Sequence, residues 1–292
     1  MSADAPIGVI GLGLMGAAFA ARLIEAGQAA VGFDIDRSRC DALKAMGGEV
    51  GGSVRDVGER CPTIVIAVYD AQQVEALLDE LEGDGRNAPL LICTTTCAPD
   101  EIIAIAAHAA RAGLAFVEAP VSGTSTEARD GTATALLAGE ADAIEAAQSV
   151  LAILCPKRLH VRRIGDASRT KLAINLILQI NRTALAEGIV FAESLGLDAT
   201  AFLDAARQSA AYSSVMDIKG AKMLARDFTP QSHIAQSVKD SELILREAKQ
   251  RNLHLPMTSV QMALLRAAIA LEGPDCDSAA IIAAMDRARI KL

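Results

Sequence analysis

The chain has no tryptophan, two tyrosines and six phenylalanines, so aromatics make up only 3% of it. It therefore lacks the stacking platforms with which proteins grip single-stranded nucleic acid. Clustered basic charge is missing too. The net charge is −8, which argues against nucleic acid as a partner. No uninterrupted apolar run reaches the ~18 residues of a membrane span, so no membrane association is expected. Met1-Ser-Ala-Asp-Ala-Pro6 has no basic segment ahead of an apolar one, which predicts a cytoplasmic protein without a secretory leader. Cys40, Cys61, Cys93, Cys97, Cys155 and Cys276 form no C-x-x-C pair and read as reduced and mainly structural. The four histidines show no H-x-x-x-H spacing, so no metal site is expected.

Aliphatic residues are what the chain has in quantity. Hydrophobic residues are 51% of 292, enough for a full core of Ala, Leu, Ile and Val, and the length suits two domains. The first strand-like run, Pro6-Ile-Gly-Val-Ile10, enters Gly11-Leu-Gly-Leu-Met-Gly16, and an alanine-rich helix follows from Ala17 to Ala26. This is G-x-G-x-x-G in its required strand–turn–helix setting. Gly11 permits the tight turn, Gly13 lets backbone approach a pyrophosphate, and Gly16 lets helix pack on strand. The helix N-terminus with Leu12, Leu14 and Met15 then faces the phosphates. A glycine-rich turn without a ligand is the alternative. The next run, Ala29-Ala-Val-Gly-Phe-Asp34, ends in an acid about 20 residues past the fingerprint, where a carboxylate accepts ribose hydroxyls and repels a 2′-phosphate. That favours NAD over NADP. The opposing readings are an ordinary turn aspartate, or a phosphate held by the nearby Arg37 and Arg39.

Up to about residue 163, strand-length apolar runs alternate with helical patterns. Thr63-Ile-Val-Ile-Ala-Val68 is continuously apolar, as a parallel strand covered on both faces should be. Further strands are expected at 89–93, 114–118, 132–138 and 158–161, with helices at 71–81, 100–112 and 141–154. The alternation predicts an α/β, doubly wound Rossmann domain over residues 1–164. Past Gly165 only helical patterns remain, at about 199–209, 213–225, 235–251, 257–271 and 278–288. They predict an all-α domain over 165–292. A long helix from Ser168 to Leu195, roughly 42 Å at about 1.5 Å per residue, joins the two and serves as a dimer spine. Its greasy surface predicts a homodimer or homotetramer.

Two polar features stand out. Lys171, Asn175, Gln179 and Arg182 share one face of the long helix. That face is either solvated or, because the helix is apolar almost all round, buried; a buried Lys followed by Asn needs partners or a function. The other is Glu118-Ala-Pro-Val-Ser122-Gly123-Thr124-Ser125, which leaves a strand end where open α/β sheets bind ligands. Its N–H groups and hydroxyls can form a carboxylate nest, or simply a polar turn. Tyr69, after the Thr63–Val68 strand, either covers core or lies over a cofactor.

In this order and spacing the segments resemble the β-hydroxyacid dehydrogenase family, which includes 3-hydroxyisobutyrate dehydrogenase, tartronate semialdehyde reductase and L-threonate dehydrogenase. Gly8-Val-Ile-Gly-Leu-Gly-Leu-Met-Gly16 looks like the family's cofactor signature. Glu118-Ala-Pro-Val-Ser-Gly-Thr124 resembles its D-A-P-V-S-G-G substrate loop. Lys171-Leu-Ala-Ile-Asn175 resembles its K-x-x-x-N catalytic segment. Thr95-Thr96-Cys97-Ala98-Pro99, Ser237-Val-Lys239-Asp240 and Asp277-Ser278-Ala279 are similar to three shorter motifs. The resemblance implies hydride transfer between NAD and a small hydroxy carboxylic acid. Lys171 would be the acid/base group, its amine tuned by burial and by a second cation such as Lys239. Ser122, Gly123, Thr124 and Asn175 would hold substrate. Val68, Tyr69, Thr96 and Lys239 would touch the cofactor. Thr124 in place of the second glycine, Glu118 in place of Asp and Cys93 in place of an acid depart from the pattern and bear on the choice of substrate. Two rivals remain: an NADP-dependent reductase of the imine-reductase type, which usually replaces the lysine, and a non-catalytic dinucleotide-binding protein.

Overall fold

A computed structural model describes residues 5–81 and 88–288; the Met1–Asp4 part of the N-terminal stretch lies outside the described residues. The chain divides into two compact units, Met1–Lys171 and Leu172–Leu292, and the division falls inside the long helix.

In the first unit the elements run β1 (Ile7–Ile10), α1 (Leu14–Glu25), β2 (Ala30–Phe33), α2 (Arg37–Ala45), β3 (Glu49–Val50), α3 (Val54–Arg60), β4 (Thr63–Ile66), α4 (Ala71–Leu81), β5 (Leu90–Cys93), α5 (Pro99–Arg111), β6 (Ala115–Glu118), β7 (Val121–Ser122), α6 (Ser125–Asp130), β8 (Thr134–Gly139), α7 (Ala141–Leu154) and β9 (Lys157–His160). The strand order is β3-β2-β1-β4-β5-β6-β8-β7, with β9 on β8. Strands β1 to β6 pair in parallel; β8 runs antiparallel to β6 and to β7.

This is the doubly wound sheet that the alternating pattern predicts, and the side chains show why. Strands β1, β4 and β5 are buried throughout. Because successive side chains point to opposite faces, Val9, Val65 and Ile92 join Phe19 and Leu23 of α1 and Leu151 of α7 on one side. On the other, Ile10, Ile64, Ile66 and Leu91 join Val57 of α3, Leu78 of α4 and Ile102 of α5. A fully enclosed side chain such as Ile64 contributes about 1.5–3 kcal/mol by burial.

Some elements escape the sequence pattern. The two-residue β3 and β7 are too short to show a period. Helix α1 begins at Leu14, inside the glycine turn, three residues before the expected start. The stretch read as a polar turn continues into helix α6. Thr124 is its N-cap, and Thr124 with Glu127 forms a reciprocal capping box, a Thr-x-x-Glu signature that was there to be read.

The second unit continues α8 (Asp166–Ser194) through α9 (Ala199–Arg207), α10 (Val215–Ala225), α11 (Ile234–Gln250), α12 (Pro256–Glu272), a 3-10 turn at Ser278–Ala280 and α13 (Ile281–Ala288). No strand occurs there among the described residues. Leu185, Ile189, Leu203, Met223, Leu265 and Ile281 form its core. The expected helix at 278–288 is split: the Asp277 carboxylate accepts from Ala279 N–H and caps the tight turn before α13. Among the described residues no helix is long and apolar enough to cross a membrane.

Candidate active site

The first unit places Gly11, Asp34, Val68, Tyr69 and Thr96 just past the C-terminal ends of its parallel strands. The chain winds outward from β1 to β3, then returns to β4 on the other side of β1. Ligands of open α/β sheets sit at such a reversal of strand order. Gly11 follows β1, and Val68 and Tyr69 follow β4. Gly11 has φ +88°, and a Cβ there would lie 2.6 Å from the Ala67 carbonyl oxygen. A Cβ on Gly16 would sit 1.8 Å from the Gly11 carbonyl oxygen. Both glycines are therefore demanded by the fold itself. Gly13 differs. The nearest atom to a Cβ there is an Arg39 nitrogen at 3.8 Å, so its surroundings are open at the mouth of α1. The first-turn N–H groups of Leu14, Met15 and Gly16 have no intrahelical acceptor, and the helix end favours negative charge. A pyrophosphate fits this cradle, and the fit explains the one glycine that folding does not need.

A pair of substitutions separates the two demands. Gly16→Ala is expected to cost more than ~2 kcal/mol, since backbone must move. Gly13→Ala is expected to cost under ~1 kcal/mol yet weaken dinucleotide binding at least tenfold, or about 1.4 kcal/mol. Urea titration and calorimetric dinucleotide titration read the two effects; equal behaviour of both variants contradicts this assignment.

Asp34 ends the next strand, and both its oxygens have partners. Oδ2 accepts from Leu12 N–H at 2.7 Å and Oδ1 from Asp36 N–H at 2.8 Å. The acid thus ties the second strand to the glycine turn. Arg39 does not lie beyond it, as the linear order suggested: its Nη1 is 3.3 Å from Asp34 Oδ2. Acid and base stand together at the tip of β2. Thr95 Oγ1 donates to the Val68 carbonyl at 3.0 Å, joining the loops after β4 and β5. Tyr69 is exposed and Thr96 half-buried; Tyr69 N–H donates to Gln73.

Loop 118–124 divides its labour in a way that the sequence did not reveal. Glu118 is buried at the tip of β6. Its carboxylate accepts from Gly165 N–H and Ser168 N–H, both at 2.6 Å, and so caps the first turn of α8. Burial raises Glu118 above its ordinary value of 4.5, outweighing the hydrogen bonds from Ser168 and Gly165 that pull it down. Gly123, half-buried beside Ser122, has φ +149° and would clash with Ala133 if it carried a Cβ. Thr124 departs from the nest reading. Its N–H donates to the Glu127 carboxylate at 2.8 Å, and its hydroxyl serves the same cap.

The polar stripe on α8 is buried. Lys171, Asn175, Gln179 and Arg182 are 5%, 4%, 3% and 6% exposed, while Ile177 between them is 61% exposed. The helix is inverted relative to an ordinary surface helix, and the solvated-face alternative is overturned. Within the second unit, Asn175 Nδ2 donates to Asp240 Oδ2 at 2.8 Å. A carboxylate only accepts, so this bond orients the amide and turns Asn175 Oδ1 away from Asp240. Gln236 Nε2 lies 3.3 Å from Asp240 Oδ1, and Lys239 Nζ lies 3.8 Å from that oxygen. Asp240 was missed as an orienting group, although it adjoins Lys239 in the sequence.

Two family models together cover most of the chain. Residues 6–161 match the NAD-binding domain of 6-phosphogluconate dehydrogenase, and residues 165–285 match the NAD-binding domain of NADP-dependent 3-hydroxyisobutyrate dehydrogenase. The L-threonate dehydrogenase of Cupriavidus necator is 31% identical over 94% of each chain. The chain belongs to the β-hydroxyacid dehydrogenase family. Another member, the 2-hydroxy-3-oxopropionate reductase of Escherichia coli, is 29% identical over 96% of this chain and 97% of its own. The crystal structure of 3-hydroxyisobutyrate dehydrogenase from Salmonella typhimurium superimposes with a TM-score of 0.86 at 26% identity, covering 96% of this chain and 99% of the other. The fold is the one predicted: a Rossmann domain followed by a helical domain. As a member of this family the chain is an oxidoreductase with a dinucleotide-binding domain.

Proposed function

We propose that this chain reversibly oxidises a small hydroxy carboxylic acid of the 3-hydroxyisobutyrate, glycerate or threonate type, with NAD as the favoured dinucleotide. The observation that carries the reading is the burial of Lys171 one turn ahead of Asn175, on a helix whose first turn is capped by the substrate loop's own Glu118. An ammonium is costly to bury; a proton-transfer role accounts for keeping one there. The bound dinucleotide supplies the hydride acceptor. Lys171 Nζ takes the hydroxyl proton in oxidation and returns it in reduction. Ser122 and the Gly123 N–H hold the substrate carboxylate, and Thr124 shapes that end as the helix cap. Asn175, its amide held by Asp240, is assigned by the resemblance to hydrogen-bond the substrate and fix its pose. The resemblance assigns Val68, Tyr69, Thr96 and Lys239 to the cofactor. Asp34 supports NAD, with Asp36 adding a second negative charge beside it; Arg39 is the group that would favour NADP.

Purified protein is mixed with NAD or NADP and a panel of 2- and 3-hydroxy acids, and absorbance of the reduced dinucleotide is followed. An acid-dependent rise, larger with NAD, is expected. No rise with any acid would favour a binding protein, and turnover of cyclic imines alone would favour the imine-reductase rival. We further propose residues 165–292 as a substrate and dimerisation domain. Exposed Ile177, Phe191, Leu195 and Leu197 on and just after α8 support a homodimer or homotetramer. Sedimentation velocity is expected to show one of these, and a monomer at micromolar concentration contradicts it. A cytoplasmic place suits six cysteines with no disulfide among the described residues.

A further inference from the structure

Two members of the buried stripe have no task in the proposed reaction, and they differ: Gln179 Oε1 accepts from Ser241 Oγ and Gln261 Nε2, whereas Arg182 has no such partner. It is 6% exposed, makes no hydrogen bond or ion pair among the described residues, and its Nε is enclosed without an acceptor. Leaving a buried donor of a charged group unmet is costly, and an unpaired guanidinium more so.

The charges around it explain why it stays unmatched. All belong to the second unit. Asp277 and Asp240 are the carboxylates whose fields reach Arg182, but both are engaged elsewhere. Both Asp277 oxygens lie 2.8 Å from Lys219 Nζ, and they also accept from the N–H groups of Gln231, Ser232 and Ala279. Asp240 takes Asn175, Gln236 and Lys239. Both carboxylates are thus engaged by other groups, and Arg182 has no ion pair of its own among the described residues. Burial lowers its pKa to about 10, against the pull of Asp277 and Asp240, so it remains cationic at neutral pH.

Its position gives that charge a use. Asn175 and Arg182 lie seven residues apart on one face of α8, about 10.5 Å of helix rise. Helix side chains lean toward the N-terminus, which brings the guanidinium back toward the Asn175 turn. Arginine's planar fork matches a carboxylate or a phosphonate in a bidentate pair. We propose that Arg182 binds a second acid group on the substrate, so that among small hydroxy acids a short chain with an acid group at each end is turned over in preference to the monocarboxylic acids named above. This inference rests on the hydroxy-acid reading above.

Three measurements test it. First, kcat/KM is compared for 3-hydroxypropionate and a 2-(hydroxymethyl)-dicarboxylate in the wild type, in R182M and in R182Q. The wild type should prefer the diacid, and the diacid-to-monoacid ratio should fall about 10–100-fold in both variants, the range for losing a charge-assisted pair. Second, calorimetric titration with succinate, 3-phosphonopropionate and propionate needs no turnover. The first two should lose affinity in the variants relative to propionate, and whichever loses more identifies a carboxylate or a phosphonate as the partner. Third, R182M should melt no lower than the wild type, because a buried unpaired charge is being removed. A wild type without diacid preference or succinate binding overturns the proposal, as does a lower melting temperature of R182M with an unchanged ratio. Turnover of no hydroxy acid alongside Arg182-dependent succinate binding would instead count against the reaction and leave the anion site standing.

Discussion

Lys171→Ala should lower hydroxy-acid turnover by about 10²–10⁴-fold, the range for losing a positioned acid/base group, while dinucleotide affinity stays close to the wild-type value. The cradle for the pyrophosphate is built from the β1–α1 turn and does not draw on Lys171, so the two readouts separate. Lys171→Arg sharpens the test. It keeps the positive charge, but a guanidinium does not give up its proton near neutral pH, so turnover should remain low. Recovery of activity in the arginine variant would mean that the site needs charge rather than proton transfer. Wild-type turnover in the alanine variant would remove Lys171 from the chemistry. Stopped-flow single turnovers and calorimetric titration supply the numbers.

Lys219→Met should destabilise the helical unit by about 3–5 kcal/mol, the typical cost of stranding one partner of a buried ion pair. Lys219 and Asp277 are 4% and 0% exposed. Asp277 joins the chain before α13 to the segment at 228–232, accepting from Gln231 and Ser232 N–H groups. Burial alone would raise the Asp277 pKa. Lys219 and the N–H groups of Ala279 and Gln231 outweigh it and hold the carboxyl below its ordinary value of 3.8. Its folded pKa is depressed, so its contribution to stability is present above that ordinary value and lost as pH falls through the lower folded one. In Lys219→Met the part of the acid-side loss that comes from Asp277 should shrink, because the cation that holds its carboxyl down is gone. The double variant Lys219→Met, Asp277→Leu should recover part of the loss, because no lone charge then remains. Equal unfolding midpoints in urea for wild type and Lys219→Met would show that the pair contributes nothing net.

Much of this architecture could be read in the sequence because period and composition carry it. The buried runs at β1, β4 and β5 announce a parallel sheet. The three glycines carry distinct steric and spatial demands, met at Gly11, Gly13 and Gly16. Helix α7 falls at the expected residues, and α8 begins two residues before its expected start. Contacts between residues distant in the chain could not be read. Glu118 capping α8 spans 47 and 50 residues, Asp240 orienting Asn175 spans 65, and no local pattern encodes either. Arg39 reaching back to Asp34 depends on a side-chain path, not on order along the chain. Thr124 is different. Its capping box was legible, but a hydroxyl beside glycine invited a ligand-nest reading where helix initiation was the stronger local signal.

Direct hydride transfer can be followed with a substrate deuterated at its carbinol carbon. The protein is incubated with NAD and that hydroxy acid, and the reduced dinucleotide is examined by NMR. Deuterium on one face of nicotinamide C4, in the wild type and at a greatly reduced rate in Lys171→Ala, is the predicted result. Unlabelled dinucleotide, or label appearing at the same rate without the lysine, would contradict the account.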